Sequence, residues 1–178
     1  MINNKDIPTK CSVLLRQWKK NLNLTNYERT KFENVLNQLD SQIKKLERKE
    51  LQISVYGRVG VGKSSLLNAL IEKQIFPTDI LNGNTKTTKS YTWDKRFKSL
   101  NKVELRDSPG IDEINNINKE EINFNYALDT DLILYVIDSD INRIDLKTIE
   151  ELLKRNKPIL LVLNRCDQWN TKEKKFIL

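Results

Sequence analysis

The sequence predicts an α/β fold: a mostly parallel sheet with helices on both faces, preceded by an N-terminal helical hairpin. Three observations carry it. After residue 50, strand-like and helix-like segments alternate, the pattern of βαβ units. Two continuous apolar runs, Leu132–Ile137 and Pro158–Leu163, have the length and composition of buried parallel strands. Between the first strand-like segment and the helix after it lies a glycine-rich turn.

Residues 1–50 read as a basic helical region. Val13, Leu14, Trp18 and Leu22 recur at helical spacing, and Asn21-Leu22-Asn23-Leu24 interrupts them. Thr25-Asn26-Tyr27-Glu28 has the form of a capping box that starts a second helix. Phe32, Leu36, Leu39, Ile43 and Leu46 follow at alternating steps of four and three, a stripe suited to packing back as a hairpin or to meeting a partner helix.

Residues 51–178 read as the second domain. Leu51–Tyr56 alternates as a strand, Ser65–Glu72 is a helix, and 73–88 is a loop. Ser90–Trp93 and Lys102–Arg106 are short strands; 111–118 is loop and 119–129 helix. Leu132–Ile137 is a buried strand, Ile144–Arg155 a helix, and Pro158–Leu163 a second buried strand.

Composition narrows the chemistry. The chain has 178 residues, 38% hydrophobic and 31% charged, enough for a packed core. It has no histidine, which excludes Ser-His-Asp and Cys-His catalysis and histidine-ligated zinc. Its two cysteines, Cys11 and Cys166, form no CxxC pair and fit a reducing, cytoplasmic compartment. The net charge is +7, with 11 basic and 6 acidic residues in the first 50 positions. That basic head suits an anionic surface, lipid or nucleic acid, or a solvated helix face. No aromatic RNA-binding motif is present, so nucleic acid is the weaker choice.

Three motifs carry the function. Gly57-Arg58-Val59-Gly60-Val61-Gly62-Lys63-Ser64, followed by Ser65, fits GxxxxGK[ST] between a strand and a helix. Such a loop turns its N–H groups, those of Gly57, Val59, Gly60, Val61 and Gly62 among them, toward phosphate oxygens, and the helix N-terminus adds a positive dipole. Lys63 supplies charge for the β- and γ-phosphates, and Ser64 a hard oxygen for Mg²⁺. Asp107-Ser108-Pro109-Gly110 fits DxxG: a carboxylate that supports Mg²⁺ and a glycine whose N–H meets a γ-phosphate. Asp-Ser-Pro-Gly is also a good turn, and its place two strands after the phosphate loop gives it weight. Asn164-Arg165-Cys166-Asp167 resembles NKxD, in which the aspartate accepts from guanine N1–H and the 2-amino group.

Phosphate loop, DxxG and N(K/R)xD, in this order on strand ends, resemble the G domain of translation-factor-related P-loop GTPases, and more nearly the Era-like and dynamin-related bacterial members. The run from Val55 to Asp167 is also similar to cyanobacterial GTP-binding proteins with a basic helical leader and a membrane-associated helical tail, and the likeness covers about residues 30–175. The resemblance implies a GTP- and GDP-binding switch with slow, Mg²⁺-dependent hydrolysis, and a threonine that binds Mg²⁺ and covers the γ-phosphate. Spacing within the Era-like group favours Thr85; Thr88 is the runner-up, and Thr87 the remaining candidate. The implied catalytic residues are Lys63 and Thr85, the implied metal ligands Ser64, Thr85 and Asp107. The implied partners are a second copy or an effector protein, and an anionic membrane met by the N-terminal helices, peripheral at the inner membrane surface.

Four departures stand against the family pattern. Ile111 follows Gly110 where a Ras-like enzyme carries glutamine, so water activation must come from elsewhere. Gly60 stands where potassium-activated members carry asparagine. Arg165 replaces lysine; its stem can still cover the base, and its bulk works against affinity. The sequence given ends 11 residues after Asp167, so the family's last strand, base-contacting loop and final helix are expected to be missing, leaving an apolar strand edge exposed. The competing reading is a non-catalytic G-domain interaction module. An ATPase is disfavoured by Asp167.

Overall fold

The structure, a computed structural model, describes residues 7–78, 89–108, 110 and 129–168. The chain divides into two compact units, residues 1–51 with 96–103, and residues 52–95 with 104–178.

In the first unit, helix α1 runs Ile7–Lys20, α2 Asn26–Lys31 and α3 Glu33–Arg48. The predicted capping box is present: Thr25 Oγ1 accepts from the Glu28 N–H at 3.3 Å, and Glu28 Oε2 accepts from the Thr25 N–H at 2.8 Å. Helices α1 and α3 form the hairpin. Arg16 donates from both Nε and Nη2 to the Glu47 carboxylate, at 2.6 and 2.7 Å, and Lys19 Nζ to Asp40 at 2.6 Å. The expected stripe is shorter than its spacing implies. Phe32 sits at the junction of α2 and α3 with φ −100° and ψ 10°, so it belongs to neither helix and stays 43% exposed. Within the stripe only Ile43 is fully buried. Lys49 ends α3 in the left-handed region.

A five-stranded mixed sheet, most of whose residues fall in the second unit, is ordered β2-β3-β1-β4-β5, with β1 Glu50–Tyr56, β2 Lys89–Thr92, β3 Lys102–Asp107, β4 Leu132–Ile137 and β5 Ile159–Leu163. β1 pairs with β4 in parallel (Val55 opposite Leu134), and β4 with β5 in parallel (Tyr135 opposite Leu161). β2 runs antiparallel to β3, Lys89 facing Asp107. Helix α4 is Lys63–Ile71 and α5 is Arg143–Lys154.

Strand β4 is apolar throughout because both its faces are covered: Ile133, Tyr135 and Val136 expose nothing. Ile133, Tyr135 and Ile137 pack with Tyr56 and with Leu152 of α5, flanked by Ile149, Ile159 and Leu163. Helix α5 starts on a second capping box, Asn142 Oδ1 accepting from Ile144 and Asp145 N–H and Asp145 returning to the Asn142 N–H. Strand β5 corrects its reading as a second buried strand. It is an edge of the sheet among the described residues, and Leu160 and Leu161 are 54% and 47% exposed. An apolar run alone does not distinguish a central strand from an edge strand.

The loops that follow β1, β3 and β5 carry the motif residues. In open α/β sheets this carboxyl edge is where ligands sit.

Candidate functional site

The phosphate loop leaves β1 at Tyr56 and enters α4 at Lys63. Gly57, Gly60 and Gly62 all have positive φ, at 143°, 82° and 90°. At Gly62 the requirement is also spatial: a Cβ there would lie 2.3 Å from the Asn164 side-chain nitrogen. No side chain caps α4, so the N–H groups of its first turn are left for an anion. Lys63 is 8% exposed, and its ammonium donates to the carbonyls of Gly57 (3.0 Å) and Arg58 (2.7 Å). The lysine thus lies along the inside of this loop.

Ser64 Oγ donates to Asp107 Oδ2 at 2.6 Å, which joins the first motif to the second. Asp107 is 1% exposed, and its other oxygen, Oδ1, is buried without a hydrogen-bond partner among the described residues. Burial pushes its carboxyl above the ordinary carboxylate range, against the Ser64 hydrogen bond and the charges of Lys63 and Lys89. A buried carboxylate oxygen with no partner, beside a serine hydroxyl, is a donor set that fits a hard divalent cation such as Mg²⁺. Among the described residues no three Asp, Glu, Cys or His side chains converge, so an ion here would lean on ligand oxygens as well. Ser108 Oγ donates to the Val55 carbonyl and pins the second motif against β1. Gly110 lies against the phosphate loop: a Cβ there would come within 3.0 Å of the Val59 nitrogen.

The third motif meets the first. The Asn164 N–H donates to the Ile137 carbonyl at 2.7 Å, and its side-chain amide to the Val61 carbonyl at 2.8 Å. Arg165, in the left-handed region at φ 56°, donates from Nη2 to the Gly60 carbonyl at 2.7 Å. Its guanidinium is engaged by the protein, a role its sequence position did not reveal. Asp167 follows on a short 3₁₀ turn, Cys166–Gln168, and is exposed. Ser65, on the first turn of α4, is exposed too.

Sequence reasoning missed four residues. Asn68 of α4 accepts from the N–H of Ile75 and Phe76 and donates to the Phe76 carbonyl, holding the start of the loop after α4. Arg58, Asp138 and Asp145 form a charge network described below. Arg58 occupies an unspecified motif position, and Asp138 the polar turn after β4; neither pattern names a partner. Thr85, Thr87, Thr88 and Ile111 lie outside the described residues.

A family description of 50S ribosome-binding GTPases matches residues 52–165, well over half of the chain. The chain belongs to this GTPase family. Among its relatives, GTPase Der of Campylobacter fetus is 34% identical over 129 residues, covering 70% of this chain and 27% of that protein. GTPase Era of Buchnera aphidicola is 31% identical over 117 residues, covering 65% of this chain and 40% of that protein. The chain therefore spans between about a quarter and two fifths of the length of the relatives it matches. A crystal structure of Era with MgGDPNP and a 16S ribosomal RNA segment shares the fold, with a TM-score of 0.59 and 24% identity over 72% of this chain and 44% of that one.

Proposed function

We propose that this chain is a guanine-nucleotide switch domain that binds GTP and GDP with Mg²⁺ and hydrolyses GTP slowly. The observation that carries the reading is the Ser64–Asp107 pair, 2.6 Å apart, with Asp107 Oδ1 buried and unpartnered among the described residues. In this reading Lys63 leaves its loop carbonyls for β- and γ-phosphate oxygens and stabilises charge on the transferring phosphoryl group. The N–H groups from Gly57 to Ser65 hold the phosphates, and Gly110 adds one at the γ-position. Ser64, Asp107 and Thr85 would hold Mg²⁺, which would supply positive charge against the phosphates. Asp167 reads the guanine edge, with Asn164 fixing the loop and the Arg165 stem beside the base. Ile111 offers no group to orient water, so acceleration comes from a partner or a second copy.

Single-turnover hydrolysis tests this. GTP cleavage by the chain with Mg²⁺, reduced ~100-fold or more in Lys63→Ala, is expected. No turnover by a folded protein would favour the interaction-module reading, and equal competition by ATP would favour an ATPase.

A membrane role for the helical unit has one observation in its favour. Ile7, Cys11, Leu14 and Trp18 recur on one side of α1 and are all exposed, and α1 carries four basic residues and no acidic one. An exposed apolar stripe with a tryptophan and cationic flanks suits an anionic lipid surface better than RNA. No helix among the described residues is long and apolar enough to cross a membrane. Co-sedimentation with anionic vesicles that is lost in Trp18→Ser is the expected result.

A further inference from the structure

Two arginines separated by more than a hundred positions share one carboxylate. Asp138, in the turn after β4, is partly buried, its side chain 21% exposed. Its Oδ2 accepts from Arg165 Nη1 at 3.2 Å. Its Oδ1 lies 3.6 Å from Arg58 Nη2 and accepts from Ser139 Oγ at 3.2 Å, and Ser139 Oγ accepts from Arg58 Nη2 at 3.1 Å. The far side of Arg58 is anchored as well. Its Nε lies 3.2 Å from Oδ2 of Asp145, an ion pair without hydrogen-bond alignment, and Asp145 exposes nothing and is itself held by the Tyr135 hydroxyl at 3.0 Å and the Asn142 N–H at 3.1 Å. The far side of Arg165 ends on the Gly60 carbonyl. A chain of ion pairs and hydrogen bonds, bridged at one point by Ser139, thus runs from α5 through Arg58, Asp138 and Arg165 back into the phosphate loop.

The geometry points to Asp138 as a positioning residue for nucleotide binding: it locks the base-reading loop onto the phosphate loop. The reason lies in the arginine at 165. A guanidinium is a planar fork that can serve the Gly60 carbonyl and Asp138 at once, whereas a lysine ammonium is a single point. Arg165 also sits in the left-handed region, a conformation that a non-glycine residue keeps only where its surroundings hold it. Without Asp138, Arg58 and Arg165 would be two like charges facing each other with no carboxylate between them, and the loop carrying Asp167 would lose an anchor. Asp138 touches neither phosphate nor base in this scheme. Its loss therefore weakens the two nucleotides alike and leaves the chemical step unchanged.

This inference rests on the guanine-nucleotide reading, and a double-mutant cycle tests it. GDP and the GTP analogue GDPNP are titrated with Mg²⁺ into the wild type, Asp138→Asn, Arg165→Lys and the double variant. Asp138→Asn is expected to raise both dissociation constants by the same factor, ~10-fold, with the single-turnover rate at saturating GTP unchanged. On the Arg165→Lys background the same change should cost no more than ~2-fold, because the shared contact is already gone. Wild-type affinity in Asp138→Asn, additive losses in the double variant, or a lowered rate at saturation would overturn the inference. A wild type that binds no guanine nucleotide would instead refute the proposed function. The interlock is then read by chemical unfolding of the same four proteins, where additive effects overturn it and non-additive ones uphold it.

Discussion

The helical unit and the motif-bearing edge of the sheet are both tied by ion pairs, and the two sets differ in what they can do. Arg16 and Lys19 meet Glu47 and Asp40 at 2.6 Å, shorter than any contact that Arg58 makes. Hydrogen bonds from Arg16 and Lys19 hold the Glu47 and Asp40 carboxyls below the usual range. Yet those helix pairs stand in water, where the alternative partner is solvent and salt screens the attraction. The Arg58–Asp145 pair is longer, at 3.2 Å, but Asp145 has no solvent to fall back on. Burial, more than distance, decides which pair the fold depends on.

The largest break in that contrast is Asp145→Ala. It would remove the acceptor of one Tyr135 hydrogen bond, a buried ion-pair partner of Arg58 and half of the α5 capping box. A loss of roughly 3–5 kcal/mol in denaturant unfolding is expected. A loss within the range of a surface pair would show that this region is wetter than its burial implies.

A smaller effect, of opposite sign, is expected at Asp107. Its folded pKa is raised, so the neutral form is the one that favours folding. That contribution is present below the unfolded carboxylate range and is lost as pH rises through the folded value. At neutral pH the buried ionised carboxylate therefore costs stability without ligand. Asp107→Asn should be more stable than the wild type near pH 7, with the difference fading as the pH falls toward 3. With Mg²⁺ and GDP the order should reverse, because the variant lacks the carboxylate charge that holds the cation. Thermal unfolding at several pH values, with and without ligand, checks both signs.

The smallest effect is expected in the helical unit. Arg16→Ala should shift the thermal midpoint too little to resolve at physiological salt, and the residual effect should vanish at high salt. A large, salt-insensitive loss would mean that the Arg16 stem packs as well as pairs.

Local signals were the legible part of the sequence. The strand Leu132–Ile137, the capping box at Thr25 and the phosphate loop are each written within a few consecutive residues, and the structure places all three where they were expected. Periodicity carried further than the backbone did at Phe32, where a residue in phase with the apolar stripe lies at a helix junction. Strand β5 was misread because an apolar run does not record how many neighbours a strand has. The network at Asp138 was invisible for another reason. Its members lie 80 and 27 positions from Asp138, and only the parallel pairing of β1, β4 and β5 brings their loops to one edge.

The central claim, that these loops form a guanine-nucleotide site, is tested most directly by calorimetric titration of the chain with GDP and Mg²⁺, with ADP as control and Asp167→Asn beside the wild type. Saturable GDP binding, no comparable ADP binding, and a ten- to roughly hundred-fold loss in Asp167→Asn are expected from the removal of a charge-assisted pair of hydrogen bonds. A folded protein that binds GDP and ADP alike, or neither, would contradict it.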